Sequence, residues 1–235
     1  VTDDLATRLA DIDARIAQAA RASRRDPGEI TRIVVTKFHP ASLVARLAEL
    51  GVRDVGENRQ QELTLKSQEL QGVGPLRWHF IGQAQTNKAR AIRQAASVVH
   101  SVDRARVADA LDRAGLEPAG DGAAPPLDVL IQVNLTDEPA RGGVAPDGLE
   151  ALAEHVQDAC GTLHLRGIMA VAPLDEEPAR AFARLREHAE RLRAVAPEAT
   201  WISAGMTGDF VEAIAAGATH LRIGSAITGP RPARG

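Results

Sequence analysis

Ile30-Thr-Arg-Ile-Val-Val-Thr-Lys37 is a short β-branched run that ends in a lysine, and it reads as a buried strand. Runs of the same kind follow at Arg53–Val55, Arg77–Ile81, Ser97–His100, Leu127–Asn134, Leu163–Val171, Thr200–Ile202 and His220–Ile223. Segments of helical period separate them: Ser42–Leu50, Asn58–Leu70, Asn87–Ala95, Asp103–Ala114, Asp147–Asp158, Pro178–Val195 and Asp209–Ala216. A further amphipathic helix comes first, with Leu5, Leu9, Ile12 and Ile16 on one face and acids in its first turn. Strands that alternate with helices pair in parallel, and eight such units close into an α/β (β/α)8 TIM barrel with an extra N-terminal helix. A doubly wound open sheet is the alternative.

The 235 residues suit one barrel domain spanning 1–235, since no Pro/Gly/Ser linker divides them. The richest such stretch, Glu117–Pro126, reads as a surface loop before the fifth strand. A 44% apolar composition with no tyrosine and only six Phe and Trp residues predicts an aliphatic core. A formal charge of −3, with Arg scattered among acids, excludes a general nucleic-acid or acidic-membrane binder. The one cysteine, Cys160, sits in an apolar stretch and reads as a buried structural thiol in a reducing compartment. No secretory signal or membrane-length apolar run occurs, so a cytoplasmic protein is expected.

Of the 28 lysines and arginines, only three are lysines, and one of them is Lys37. Arginine cannot stand in where a nitrogen must lose its proton and attack a carbonyl, whereas lysine can once burial or a nearby cation lowers its pKa. Lys37 is therefore a candidate for Schiff-base chemistry; the plain alternative is a strand-end lysine reaching for solvent.

Two turns sit where a barrel often builds a phosphate site, after strands seven and eight. Ser203-Ala-Gly-Met-Thr-Gly-Asp209 and Arg222-Ile-Gly-Ser-Ala226 offer glycines for close backbone approach, hydroxyls, and amides near helix N-termini. Ordinary helix capping would explain either turn alone. Together with Lys37 they fit a phosphate that carries an aldehyde, and pyridoxal 5′-phosphate (PLP) is such a cofactor. Arg222, just before the glycine turn, would point inward if Gly224 meets the phosphate, and would then suit the pyridine nitrogen; the plain alternative is a surface Arg in an Arg-rich chain. A permanently cationic partner leaves that nitrogen unprotonated and the ring a weak electron sink.

Several blocks resemble one family. They are Val34-Val-Thr-Lys37, Val55-Gly-Glu-Asn-Arg-Gln-Gln-Glu62, Trp78-His-Phe-Ile-Gly-Gln-Ala-Gln-Thr-Asn-Lys88, His100-Ser-Val-Asp103, Gln132-Val-Asn134, Arg166-Gly-Ile-Met169, and the two turns above. In order and over nearly the whole chain, they are similar to the pyridoxal phosphate homeostasis proteins, also called proline synthase co-transcribed homologues. The resemblance implies a fold-type III PLP barrel like the alanine racemase N-terminal domain. It implies PLP held on Lys37, phosphate bound by Ser203, Gly224 and Ser225 with the backbone of Met206, Arg222 facing the pyridine nitrogen, and Asn58 near the lysine end of the ring. Ala84 and Arg141 depart from the family pattern, which usually has Leu and often Lys there. Lys88 matches the family and reads as a helix-start surface charge.

A racemase needs acids and bases on both faces of the cofactor, including a Tyr from a second domain, and this chain has no Tyr and ends soon after strand eight. His39 and His79 are the candidates to deputise as bases but show no orienting partner in sequence. No metal-ligand spacing is evident, so no metal site and no catalytic residue is assigned. The expectation is a non-catalytic, monomeric PLP carrier that buffers PLP or delivers it to PLP-requiring apo-enzymes. The alternative is a PLP-dependent amino-acid racemase. A third possibility is a metabolite-binding barrel without PLP.

Overall fold

The computed structural model describes residues 4–117, 125–136 and 138–231. Most of the expected loop at Glu117–Pro126 lies outside them. Eight parallel strands close into a barrel in chain order: β1 (Thr31–Val35), β2 (Asp54–Glu57), β3 (Arg77–Phe80), β4 (Val98–Val102), β5 (Leu127–Gln132), β6 (Leu163–Met169), β7 (Trp201–Ser203) and β8 (His220–Ile223). Closure is made by β1 against β8, in the register Ile33 to Arg222 and Val34 to Ile223. The open-sheet alternative is excluded.

Helix α1 (Asp4–Ala22) precedes the barrel and buries Leu5, Leu9, Ile12 and Ile16, as their spacing predicts. The outer ring is α2 (Ala41–Glu49), α3 (Gln60–Glu69), α4 (Ala89–Ala95), α5 (Ala105–Leu116), α6 (Leu149–Ala159), α7 (Pro178–Val195) and α8 (Phe210–Ala215). A short α9 (Ser225–Thr228), absent from the sequence reading, follows β8 at once. Its four residues are too few to show a helical period.

Two apolar cores result. The larger lies between strands and helices and is aliphatic, with Val44, Leu47, Leu63, Leu111, Leu149 and Leu192 all fully buried. A smaller one, Val98, Leu130 and Met169 with Trp201 against it, fills the barrel interior. The interior is not uniformly apolar, because His79, His100 and Ser203 are also fully buried there. Gly167 of β6 lets β7 approach closely, since a Cβ there would lie 1.9 Å from the Trp201 carbonyl oxygen.

Strand ends differ from expectation in ways that matter for the site. Strand β1 stops at Val35, so Lys37 stands on the turn beyond it, followed by Phe38 at a positive φ of 69°. Helix α3 starts at Gln60, which leaves Asn58 on the loop after β2. Strand β4 runs on to Val102, which puts His100 inside the barrel rather than at its rim.

Candidate cofactor site

A cavity of about 370 Å³ opens at the C-terminal end of the strands. Lys37 and Asn58 line it on the β1–β2 side, while Thr207, Gly208, Gly224 and Ser225 line it on the β7–β8 side. Arg222 also lines it, and Val35, Ile81 and Val171 contribute apolar wall. The fold thus brings Lys37 and the two turns, some 170 to 190 residues apart in sequence, onto one cavity.

The lysine side is held by a buried ionic cluster. Lys66 Nζ donates to the Thr36 carbonyl at 2.9 Å and to Glu57 Oε1 at 2.6 Å, with Glu62 Oε2 at 3.5 Å. The Thr36 hydroxyl donates to Glu57 at 2.6 Å, and the Phe38 N–H donates to Glu62 at 2.7 Å. The residues on both sides of Lys37 are therefore tied to α3. Glu57 is fully buried, and desolvation pushes its carboxyl above the usual range despite the Lys66 and Thr36 hydrogen bonds. Its Oε2 is left without a partner. On the outer side, Arg59 and Arg231 approach the Phe38 ring, at 5.1 and 3.9 Å from its centroid. None of Glu57, Glu62 and Lys66 was singled out from sequence as a site residue. The signal available was the i, i+4 spacing of Glu62 and Lys66, which ordinarily marks a solvated helix face.

Opposite, Gly224 at φ −109°, ψ −103° turns the chain from β8 into α9, and the first turn of α9 has no side-chain cap. Uncapped amides at a helix start, with the Thr207 and Ser225 hydroxyls on the same cavity, suit an oxyanion. Met206 lines the cavity, but its N–H already donates to Asp209 Oδ1 at 2.5 Å. Ser203, assigned by resemblance to the phosphate, is placed differently. It is fully buried and does not line the cavity, and its hydroxyl accepts from Arg222 Nη1 at 2.7 Å while meeting His100 Nδ1 at 2.9 Å. Thr207, four residues on, is the hydroxyl of that turn that reaches the cavity, and sequence reasoning did not select it.

Arg222 is 5% exposed, and Nη2 donates to the Ala170 carbonyl at 2.8 Å. Burial pushes its guanidinium down to about 10, so it is cationic at neutral pH, and no carboxylate forms an ion pair with it among the described residues. Gly82 lets the loop carrying Asn58 close over β3, because a Cβ there would lie 1.9 Å from the Asn58 carbonyl oxygen. The donor set fits PLP: an amine at one end, a fixed cation for the ring nitrogen, amides and hydroxyls for the phosphate, and aliphatic wall for the ring.

Residues 8–232 match the family described as alanine racemase, N-terminal domain. A Pseudomonas aeruginosa pyridoxal phosphate homeostasis protein is 43% identical over 230 residues, covering 97% of this chain and 96% of the relative. The chain belongs to the pyridoxal phosphate homeostasis protein family. A Mycobacterium tuberculosis member of this family is 39% identical over 244 residues, covering 98% of this chain and 94% of the relative. PipY of Synechococcus elongatus, solved with PLP bound, superposes with a TM-score of 0.81 at 33% identity, over 96% of this chain and all of that one.

Other sequence-stated candidates lie away from the cavity lining. His39 does not line it, and Lys88 stands at the start of α4. Arg141 is exposed and pairs with Glu138 at 3.4 Å. His79 does have an orienting partner, contrary to the sequence reading, because Asp54 lies 2.9 Å from its Nε2. Strand β2 brings Asp54 beside it across 25 residues, a contact no local spacing reveals. Between α5 and α6, Asp109, His155 and Cys160 bring three ligand atoms within 4.8 Å of one another, a grouping not foreseen from spacing. There, burial with Asp112 and Asp109 nearby pushes the Cys160 thiol up to about 11. Among the described residues no helix is long and apolar enough to cross a membrane.

Proposed function

We propose that this chain binds PLP covalently but reversibly on Lys37 and acts in PLP homeostasis, buffering the cofactor and delivering it to PLP-requiring apo-enzymes. Residues 1–235 form one PLP-binding barrel in this reading, working as a cytoplasmic monomer. The observation that carries it is the placing of Lys37, Arg222 and the Gly224–Ser225 turn on one cavity. PLP, when bound, supplies an aldehyde carbonyl that a primary amine attacks with loss of water. The chain's own contributions are a lysine whose flanking residues are anchored by Lys66 and Glu62, uncapped amides and the Thr207 and Ser225 hydroxyls for the phosphate, and the Arg222 cation at the ring nitrogen.

A carrier without turnover is the better reading than a racemase. Proton transfer at a substrate carbon needs positioned acids and bases. Among the described residues, the cavity is lined by no ionisable side chain besides Lys37 and Arg222. Arg222, as a persistent cation, also favours holding the ring over drawing electrons through it. The experiment is an absorption spectrum of the purified protein with added PLP, followed by borohydride reduction and mapping of the labelled residue. The expected result is a yellow protein labelled on Lys37. Covalent uptake that survives in Lys37→Ala would sink the assignment, and exchange of an amino acid's α-hydrogen faster than with free PLP would restore the racemase.

A further inference from the structure

A line of hydrogen bonds crosses the barrel interior from the cavity to the far end of the strands. Arg222 Nη1 donates to Ser203 Oγ at 2.7 Å, and Ser203 Oγ meets His100 Nδ1 at 2.9 Å. His100 Nε2 meets His79 Nδ1 at 2.9 Å, and His79 Nε2 meets Asp54 Oδ1 at 2.9 Å. Ser203, His100 and His79 are all fully buried, whereas the Asp54 side chain is 19% exposed at the start of β2.

Elementary bookkeeping gives this line a single direction. A carboxylate only accepts, so His79 carries its proton on Nε2 and gives it to Asp54. A neutral His79 then accepts on Nδ1 from His100 Nε2–H, and a neutral His100 accepts on Nδ1 from the Ser203 hydroxyl. Ser203 Oγ keeps a lone pair for Arg222, whose guanidinium only donates. Burial is the largest cause lowering both rings, and at Asp54 partial burial is outweighed by His79 and by Arg77 at 3.7 Å, which together lower its carboxyl. The charged and titratable groups around the line are Arg77 and Asp128 near His79, His220 beside His100, Arg166 near His220, and Asp209 near Arg222.

We propose that His79 and His100 are positioning residues for Arg222, relaying its hydrogen-bond demand to Asp54 so that the guanidinium is held in one orientation with no carboxylate against it. A carboxylate in direct contact would take up the fork's donors and offset its charge at the cavity. Here the line ends on Asp54 at the opposite end of the barrel, the nearby Asp209 forms no ion pair with Arg222, and the remaining N–H groups stay available to the cavity. What Arg222 faces rests on the PLP reading above, but the line itself exists without the cofactor and is tested without it.

The test is long-range ¹⁵N–¹H NMR on the full-length protein freed of PLP. Both rings are expected with Nε2 protonated and Nδ1 bare, unchanged between about pH 6 and about pH 8. An Nδ1–H tautomer or an imidazolium on either ring overturns the line. In PLP titrations, His100→Leu is expected to weaken binding about tenfold and to move the pH profile of the cofactor's absorption band, whereas His100→Gln stays within about threefold of the parent. His100 does not line the cavity, so an unchanged profile in a folded His100→Leu protein overturns the positioning role. If that variant does not fold, Asp54→Asn serves, because its amide can donate. The same weakening is expected there, and unchanged binding overturns the role. Failure of the parent to take up PLP would refute the cofactor reading while the tautomers still judge the line.

Discussion

The Phe38 N–H donates to the Glu62 carboxylate at 2.7 Å, one residue after Lys37, while Lys66 Nζ holds the carbonyl of Thr36, one residue before it. Two of the three lysines in the chain therefore share one structural unit. Phe38 sits at φ 69°, a region costly for a side chain with a Cβ, and the Glu62 contact is what faces that cost.

Removing the buried cation should cost more than removing its partner. Lys66→Met leaves Glu57 as a buried carboxylate without its counter-ion and is expected to destabilise the protein by about 3 kcal/mol or more. Glu57→Gln, which keeps a hydrogen-bonding atom for Thr36 and already suits a group whose burial favours the neutral form, should cost less. Urea unfolding of the two variants checks the order.

Gly82→Ala should be among the most damaging single-methyl changes at the site. The added Cβ would meet the Asn58 carbonyl oxygen at 1.9 Å, a backbone atom that cannot rotate away. The loop carrying Asn58 must move off the cavity. The expected outcome is a lowered melting temperature together with weakened PLP uptake, read by calorimetry and titration.

Acid should unfold the protein from the histidines. His79 and His100 are lowered chiefly by burial, and His220 is pushed down to about 3 by the same cause. A histidine lowered in the folded state contributes stability that is complete above its unfolded value and is lost as pH falls through the window below it. Asp54, also lowered, has the same sign at lower pH. Stability should fall below about pH 6.5 by on the order of 1 kcal/mol per buried histidine for each pH unit. Urea midpoints at a series of pH values measure this, and a flat profile between neutrality and pH 5 would contradict neutral buried rings.

Cys160 should be slow toward thiol reagents. Its thiol is buried and raised to about 11, so very little thiolate exists at neutral pH. Reaction with a chromogenic disulfide is expected to be slow in buffer and fast in urea, and equal rates would refute a buried, protonated thiol.

How far the sequence reaches is clear at particular residues. Strand periodicity and the helical spacing of Leu5, Leu9, Ile12 and Ile16 express local physics, and the barrel follows from their alternation. Lys37, Arg222 and Gly224 were readable because each is an unusual residue for its place at a strand end. Strand limits were less readable, and the two-residue extension of β4 moved His100 from the rim into the interior.

By itself, then, the sequence determined an eightfold βα alternation, an aliphatic core, and a lysine and a glycine turn at strand ends. The tertiary structure alone decided that Ser203 serves Arg222 rather than the cavity, that Thr207 takes the cavity position, and that Lys66 clamps the chain around Lys37. It also decided the line from Arg222 to Asp54. The reason is geometric. Asp54, His79, His100, Ser203 and Arg222 come from five different strands, and only closure of the barrel in this register turns all five side chains onto one path.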